Sequence, residues 1–366
     1  MKKLILIAGL IFGTSTLQAC DFGDKLYILN WQEYINEDLV DEFEEQFGVK
    51  VVAKNLISNE LMYSELKQGN SYDVIFPSDY MVEKLASEDL IIELDRDLIT
   101  NYTSTNMYTT GLDTLVSQSG YDEYFIPYFW GSLGIMYNKT KAGVEDTVKA
   151  QGWDVFFNEE TLTNNRVMMY SSSRDSFAAA AMYMQTTSTS DRDTTISINN
   201  YTTAQLNKCA DLLKNASYHG WGDDDIKTAI GNANADIALV YSGDFFDQLW
   251  ADEFKKTNDY DIYIPEVNNV FFDAMCIPTN ARNTDLAHEF INFMMEHENA
   301  VDNALDIGYC PAIQTVFNDV MSDSEMDCVT DYKAWNPNNI TYGTVYKDLG
   351  TTYSEMEKLY QALRVG

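Results

Sequence analysis

The chain has 366 residues, 45% of them hydrophobic and only 6 of them proline, so it can bury about two domain cores and is neither disordered nor a small disulfide scaffold. Its 57 Asp and Glu against 24 Lys and Arg give a formal net charge of -33, which repels phosphate backbones and anionic lipid headgroups and excludes nucleic acid as a partner. Such a charge welcomes cations but also serves solubility, so it points to a cation site only through particular carboxylates.

Lys2, Lys3 and the apolar run 4–12, followed by small or polar residues, have the layout of a secretory signal over residues 1–19. The run is shorter than the about 20 apolar residues that span a bilayer, so export is expected. Leu17-Gln18-Ala19-Cys20 resembles the lipobox of bacterial lipoproteins, which implies a lipid tether at Cys20; ordinary cleavage after Ala19 is the alternative. Of the remaining cysteines, Cys209, Cys276, Cys310 and Cys328, none has C-x-x-C spacing. A Cys310–Cys328 bridge and unpaired buried thiols both stay open.

From residue 25 short apolar runs alternate with helical stripes. Residues 26–29 read as a buried strand, and Asn36 opens a helix whose Leu39, Val40, Phe43 and Phe47 recur at helical spacing until Gly48 ends it. A second strand at 51–53, a helix at 59–69 with Leu61, Met62 and Leu66 on one side, and a third strand at 74–76 complete a β-α-β-α-β unit. A parallel sheet with right-handed crossovers follows. Thr-, Asn-, Ser- and Tyr-rich stretches at 101–110 and 186–203 read as surface loops. Beyond them come a helix at 204–213, strands at 237–241 and 271–277, a helix at 286–295 and a last helix with Met356, Leu359, Tyr360 and Leu363 in one stripe.

Catalytic signals are sparse. His219, His288 and His297 make no i, i+4 pair, and G-x-S-x-G, Walker A, G-x-G-x-x-G and H-E-x-x-H are all absent. An extracellular glycosidase using two carboxylates is the one enzymatic alternative that composition leaves open. What does stand out is aromatic residues beside acids at strand ends: Trp31 with Glu33 and Tyr34, Asp79 with Tyr80, Tyr241 with Asp244, and Phe271 with Asp273. A ring face attracts an alkylammonium by about 0.5–2 kcal/mol and covers its methylene stem, while a carboxylate supplies the counter-charge. Taken singly, each such pair could equally be core packing or a helix cap.

Five stretches in one order are similar to the polyamine-binding proteins of bacterial ABC importers: Leu29-Asn30-Trp31-Gln32-Glu33-Tyr34, Ser58-Asn59-Glu60-Leu61-Met62-Tyr63, Tyr72-Asp73-Val74-Ile75-Phe76-Pro77-Ser78, Ile126-Pro127-Tyr128-Phe129-Trp130-Gly131 and Ile307-Gly308-Tyr309. The resemblance implies an α/β type II periplasmic-binding-protein fold, two lobes with a hinge and a ligand cleft between them. Residues 20–128 with 268–312 would form the first lobe and 129–267 with 313–366 the second.

It further implies a ligand site of Trp31, Gln32, Glu33, Tyr34, Ser78 and Tyr80 from the first lobe, Phe271 and Asp273 beside them, and Ser172, Asp175, Tyr241, Asp244, Tyr309 and Tyr346 closing it. One amine would rest on Asp273 and Asp244, the other on Asp175 with help from Ser78, between aromatic walls. Asp244 resembles the putrescine-binding members, whereas spermidine binders have an Asp where Ser172 stands and a Gln near Tyr346, so putrescine comes first and spermidine second. A receptor of this fold for ferric ion or an anionic solute is a further alternative, opposed by Arg174 being the only base among these residues. No catalytic residue, cofactor or metal is expected. The partners would be the polyamine, a permease and an ATPase, with membrane contact only through the anchor and a monomeric state.

Overall fold

The computed structural model describes residues 25–102, 112, 116–117, 119–223, 225–232, 234–250, 259–322 and 343–365. The signal segment, Cys20, Cys328 and most of the 101–110 stretch lie outside the described residues. Among those described, no helix is long and apolar enough to cross a membrane.

The expected first unit is present. β1 (Lys25–Trp31), α1 (Glu37–Phe47), β2 (Lys50–Leu56), α2 (Asn59–Lys67), β3 (Val74–Ile75) and α3 (Asp79–Ser87) follow one another, and the strands form a parallel sheet of order β2-β1-β3. Asn36 caps α1 by accepting the Asp38 N–H, Glu37 and Asp38 face the positive end of its dipole, and Gly48 ends it at φ 67°. Buried Leu39, Val40 and Phe43 then attach it to the sheet, each stabilising by roughly 1.5–3 kcal/mol. In α2 the expected stripe is wrong at one position: Met62 and Leu66 are buried, but Leu61 is 45% exposed. Residues 62 and 66 are one helical turn apart, whereas 61 points about 100° away.

A second sheet has the order β11-β9-β4-β7-β5-β6, from β4 (Ile126–Asn138), β5 (Val167–Tyr170), β6 (Gly220–Gly222), β7 (Ile237–Tyr241), β9 (Asn268–Met275) and β11 (Gly343–Thr344). β8 (Tyr260–Tyr263) and β10 (Cys310–Pro311) also pair with β4. The sequence reading contains no strand at β4, because Pro127, Gly131 and Gly134 break its β pattern, yet all 13 of its residues are buried. Its first half pairs with β9, from Ile126 opposite Met275 to Ser132 opposite Val270. The second half pairs with β7, from Leu133 opposite Tyr241 to Tyr137 opposite Ile237. Bridges from Ile75 to Cys276 and from Ser78 to Asp273 fasten the first sheet to β9. β4 and β9 therefore join the two halves of the molecule.

Helices α4 (Ser173–Thr186), α5 (Thr203–Asn215), α6 (Ser242–Trp250), α7 (Thr284–Met294), α8 (His297–Ile307) and α9 (Thr351–Val365) complete the parts that matter for the site. α4 escapes the sequence reading because Ser173 through Met184 are all buried, leaving no polar face to reveal a stripe. α9 appears as expected, with Met356 and Tyr360 buried and Leu359 and Leu363 packed against the core. The stretch 187–202 carries no helix, but it is not simply superficial: Thr187, Ile196, Ile198 and Tyr201 are buried. Among the described residues, Cys209, Cys276 and Cys310 are buried thiols without a disulfide.

Candidate functional site

Strand ends bring the polar residues together. Tyr34 follows β1, Ser78 follows β3, Asp175 lies in the first turn of α4 after β5, and Asp244 lies in the first turn of α6 after β7. Phe271 and Asp273 stand on β9, Tyr309 precedes β10 and Tyr346 follows β11. Tyr34, Asp175, Asp244, Phe271, Asp273, Tyr309 and Tyr346 are all more than nine-tenths buried.

Each acid accepts hydroxyl donors. Asp273 Oδ2 accepts the Tyr34 hydroxyl at 2.6 Å and Oδ1 accepts that of Ser78 at 2.6 Å. Ser78 is itself positioned by Asn59, whose Nδ2 donates to its Oγ at 3.0 Å and whose Oδ1 accepts its N–H at 3.0 Å. Ser78 thus joins Asp273, not Asp175 as the sequence reading had it. Asp244 Oδ1 accepts the Tyr309 hydroxyl at 2.9 Å and Oδ2 the Tyr241 N–H at 3.3 Å. Asp175 accepts the hydroxyls of Tyr241 at 2.7 Å and Tyr346 at 2.9 Å.

The rings of the same residues interlock. Tyr34 meets Tyr309 edge to face at 5.0 Å, Phe271 meets Tyr241 at 5.2 Å and Tyr309 at 6.5 Å, and Tyr80 meets Tyr346 at 6.2 Å. Two glycines make this packing possible. A Cβ on Gly131 would stand 2.8 Å from Ser242 Oγ and 2.9 Å from the Phe271 ring, and one on Gly243 would overlap the Tyr309 ring. A methyl at either position would force these neighbouring side chains out of place.

Electrostatically the cluster pairs acids with neutral donors. Burial, and then the neighbouring acids, raise the hydroxyls of Tyr34, Tyr241, Tyr309 and Tyr346 well above the usual phenol range, so all four remain protonated. Burial pushes the Asp273 carboxyl up to about 6, against the opposing bonds from Ser78 and Tyr34. Asp175 and Asp244 lie in the first turns of α4 and α6, at the positive ends of those helices. A hydroxyl satisfies a carboxylate lone pair without neutralising its charge, so the cluster is suited to a guest that carries positive charge and N–H donors.

The remaining sequence-predicted residues fall outside this network or at its edge. Gln32 and Glu33 are exposed in the turn after β1, where Glu33 takes φ 50°. Trp31 is half-buried, with its Nε1 shielded from solvent and lacking a hydrogen-bond partner among the described residues. Ser172 caps α4 by accepting the Asp175 N–H at 3.2 Å. Tyr80 is buried and turned toward Glu60, to which its hydroxyl donates at 3.0 Å.

Several neighbours escaped the sequence reading as site residues. Tyr170, at the end of β5, packs edge to face on Tyr241 at 5.1 Å. Glu60 and the buried Arg174 lie beside Tyr80; burial raises the Glu60 carboxyl. Burial opposes the charge of Arg174, and Tyr80 and Glu60 outweigh that effect, so its guanidinium stays protonated. Asp79, already paired with Tyr80 in the sequence, is also buried, with no hydrogen-bond partner for its Oδ2 among the described residues and its carboxyl raised by burial. A cavity of about 290 Å³ lined by Asp79, Glu83, Asn199, Phe272, Tyr346 and Lys347 adjoins the cluster through Tyr346.

Residues 38–328 match the model of the bacterial extracellular solute-binding protein family, and the chain belongs to that family. It is 30% identical over 319 residues to the putrescine/cadaverine-binding protein of Pseudomonas aeruginosa, covering 84% of both chains. It is 25% identical over 371 residues to the spermidine/putrescine-binding periplasmic protein of Escherichia coli, covering 100% of this chain and 98% of the relative. The solved spermidine/putrescine ABC transporter substrate-binding protein of Streptococcus pneumoniae superposes with a TM-score of 0.70 at 27% identity, over 94% of this chain and 99% of that one. The fold is accordingly the two-lobed α/β periplasmic-binding fold expected from the sequence, and the protein is an exported solute-binding protein, not an enzyme.

Proposed function

We propose that this member of the bacterial extracellular solute-binding family is the receptor of a polyamine ABC importer, taking putrescine first and spermidine as the alternative. Three relatives whose names give putrescine, cadaverine or spermidine support the class of ligand. The observation that carries the reading is the buried set Asp175, Asp244 and Asp273, each hydrogen-bonded to tyrosine hydroxyls and framed by rings. In this reading one ammonium rests between Asp273 and Asp244 and the other on Asp175. Each carboxylate accepts it through lone pairs that the hydroxyls leave open, while Phe271, Tyr241 and Tyr309 cover the carbon chain.

The lobes are assigned as residues 20–128 with 268–312 and 129–267 with 313–366, a division that falls inside β4, ahead of the point between Ser132 and Leu133 where its partner changes from β9 to β7. Because the acids and rings come from both lobes, only closure assembles them all, and a bound dication favours the closed state. That state is what the permease and ATPase complex would receive from a monomer tethered through Cys20.

Calorimetry tests the reading. Putrescine should bind at micromolar Kd or tighter, and Asp273→Ala or Asp244→Ala should weaken it about a hundredfold, since each removes one of the two carboxylates that hold the same buried ammonium. Putrescine binding that survives the loss of both acids would reject it.

A further inference from the structure

A buried guanidinium is out of place beside a site for organic cations, and Arg174 is only 6% exposed. Its Cζ lies 3.7 Å from the centroid of the Tyr80 ring and 5.2 Å from those of Tyr346 and Tyr353. Its Nη2 stands 4.0 Å from Glu60 Oε1, the oxygen that also accepts the Tyr80 hydroxyl, and its Nη1 donates to the Lys347 carbonyl at 3.2 Å.

These contacts divide between the two halves of the molecule. Arg174 belongs to α4, which packs on β5 of the second sheet and against α9, the helix that carries Tyr353. Tyr80 and Glu60 come from α3 and α2, which pack on each other; α2 contacts β2 of the first sheet. The guanidinium is therefore anchored on its own side by Tyr346, Tyr353 and the Lys347 carbonyl, and it reaches across to one ring face and one carboxylate. Aromatic faces with a carboxylate are the same combination that suits an ammonium, here occupied by a cation fixed to the chain.

We infer that Arg174 is a tethered cation that clasps the two lobes, a positioning residue that stabilises closure through Tyr80 and Glu60. The inference rests on the proposed receptor function. Opening the cleft separates Arg174 from both partners, so the clasp acts on the balance between open and closed forms whatever polyamine is bound. Its removal weakens every ligand by the same factor and speeds release. If Arg174 instead filled a subsite for a third amine, its removal would selectively favour the triamine.

The test uses the full mature chain as wild type, Arg174→Met, Arg174→Lys and Glu60→Gln. Calorimetry and stopped-flow dissociation with putrescine and spermidine are combined with small-angle scattering of the unliganded protein. Arg174→Met should weaken both ligands about tenfold, raise both dissociation rates and enlarge the unliganded radius of gyration. Arg174→Lys should recover part of each change, and Glu60→Gln should move all three quantities the same way by less. Glu60→Gln, on the opposite lobe, provides the answer if Arg174→Met does not fold. Unchanged affinity and radius, or a gain confined to spermidine, would overturn the clasp. Failure of wild type to bind either polyamine would instead strike the functional reading, and the unliganded radius would still decide the clasp.

Discussion

The Tyr34 hydroxyl donates to Asp273 Oδ2 at 2.6 Å, although the two residues are 239 positions apart in the chain. Tyr34 leaves the end of β1 and Asp273 sits on β9, so this bond exists only when the parallel sheet and the long antiparallel pair are both formed. With the Ser78 bond, it opposes the burial that raises the Asp273 carboxyl.

Polyamine affinity should fall as pH drops through about 6, the value to which burial raises the Asp273 carboxyl. A carboxyl raised in the folded protein holds its proton more tightly there than in the unfolded chain, so acidification favours the empty fold while binding requires the ionised form. One proton must leave on binding, giving about a tenfold loss of affinity per pH unit below the midpoint. Calorimetry in buffers of different ionisation enthalpy measures this proton directly. Tyr34→Phe keeps the ring contacts but removes a bond that lowers the carboxyl, so the midpoint should move upward. A flat profile from pH 5 to 8 would contradict the assignment of Asp273.

Gly243→Ala should weaken binding without unfolding the protein. The added methyl meets the Tyr309 ring, which must turn away and release Asp244 Oδ1. A loss of roughly 1–3 kcal/mol of binding free energy is expected, with a much smaller change in Tm. Equal losses in a Gly243→Ala and a Gly243→Ala/Tyr309→Phe protein would show that the methyl, by turning the ring, already breaks the Tyr309–Asp244 bond.

Asp236 provides a stability test at the opposite end of β7 from Tyr241. Its carboxylate, 3% exposed, accepts Arg166 Nη2 at 2.6 Å and Lys141 Nζ at 2.9 Å. Burial opposes its charge, but Arg166 and Lys141 outweigh burial and hold it below the ordinary carboxylate range. The stabilisation it supplies is present above the unfolded value and is lost as pH falls through the lower folded one. Asp236→Asn should lower stability by about 1–3 kcal/mol at pH 7, and by less in acid, with putrescine affinity unchanged. Denaturant titrations at both pH values check it.

The first sheet was legible because Leu26, Leu39, Phe43 and Val74 follow simple periods, with Asn36 and Gly48 marking the helix ends. β4 and α4 were not, since full burial removes the alternation that separates an inside from an outside face. The acids at strand ends could be named from residue type and resemblance. That Tyr34, Tyr241, Tyr309 and Tyr346 act through hydroxyls on those acids as well as through their rings is a matter of three-dimensional reach, which spacing does not encode. Glu60 lay within a quoted motif and Arg174 beside Asp175, but their meeting over Tyr80 depends on how the two sheets face each other.

The most direct measurement is a crystal structure of the protein grown with putrescine. One nitrogen should lie within hydrogen-bond distance of Asp244 and Asp273 and the other of Asp175, with the carbon chain against Phe271, Tyr241 and Tyr309. A diamine bound elsewhere, or no diamine nitrogen within reach of these three aspartates while putrescine saturates the protein in solution, would contradict the proposed site.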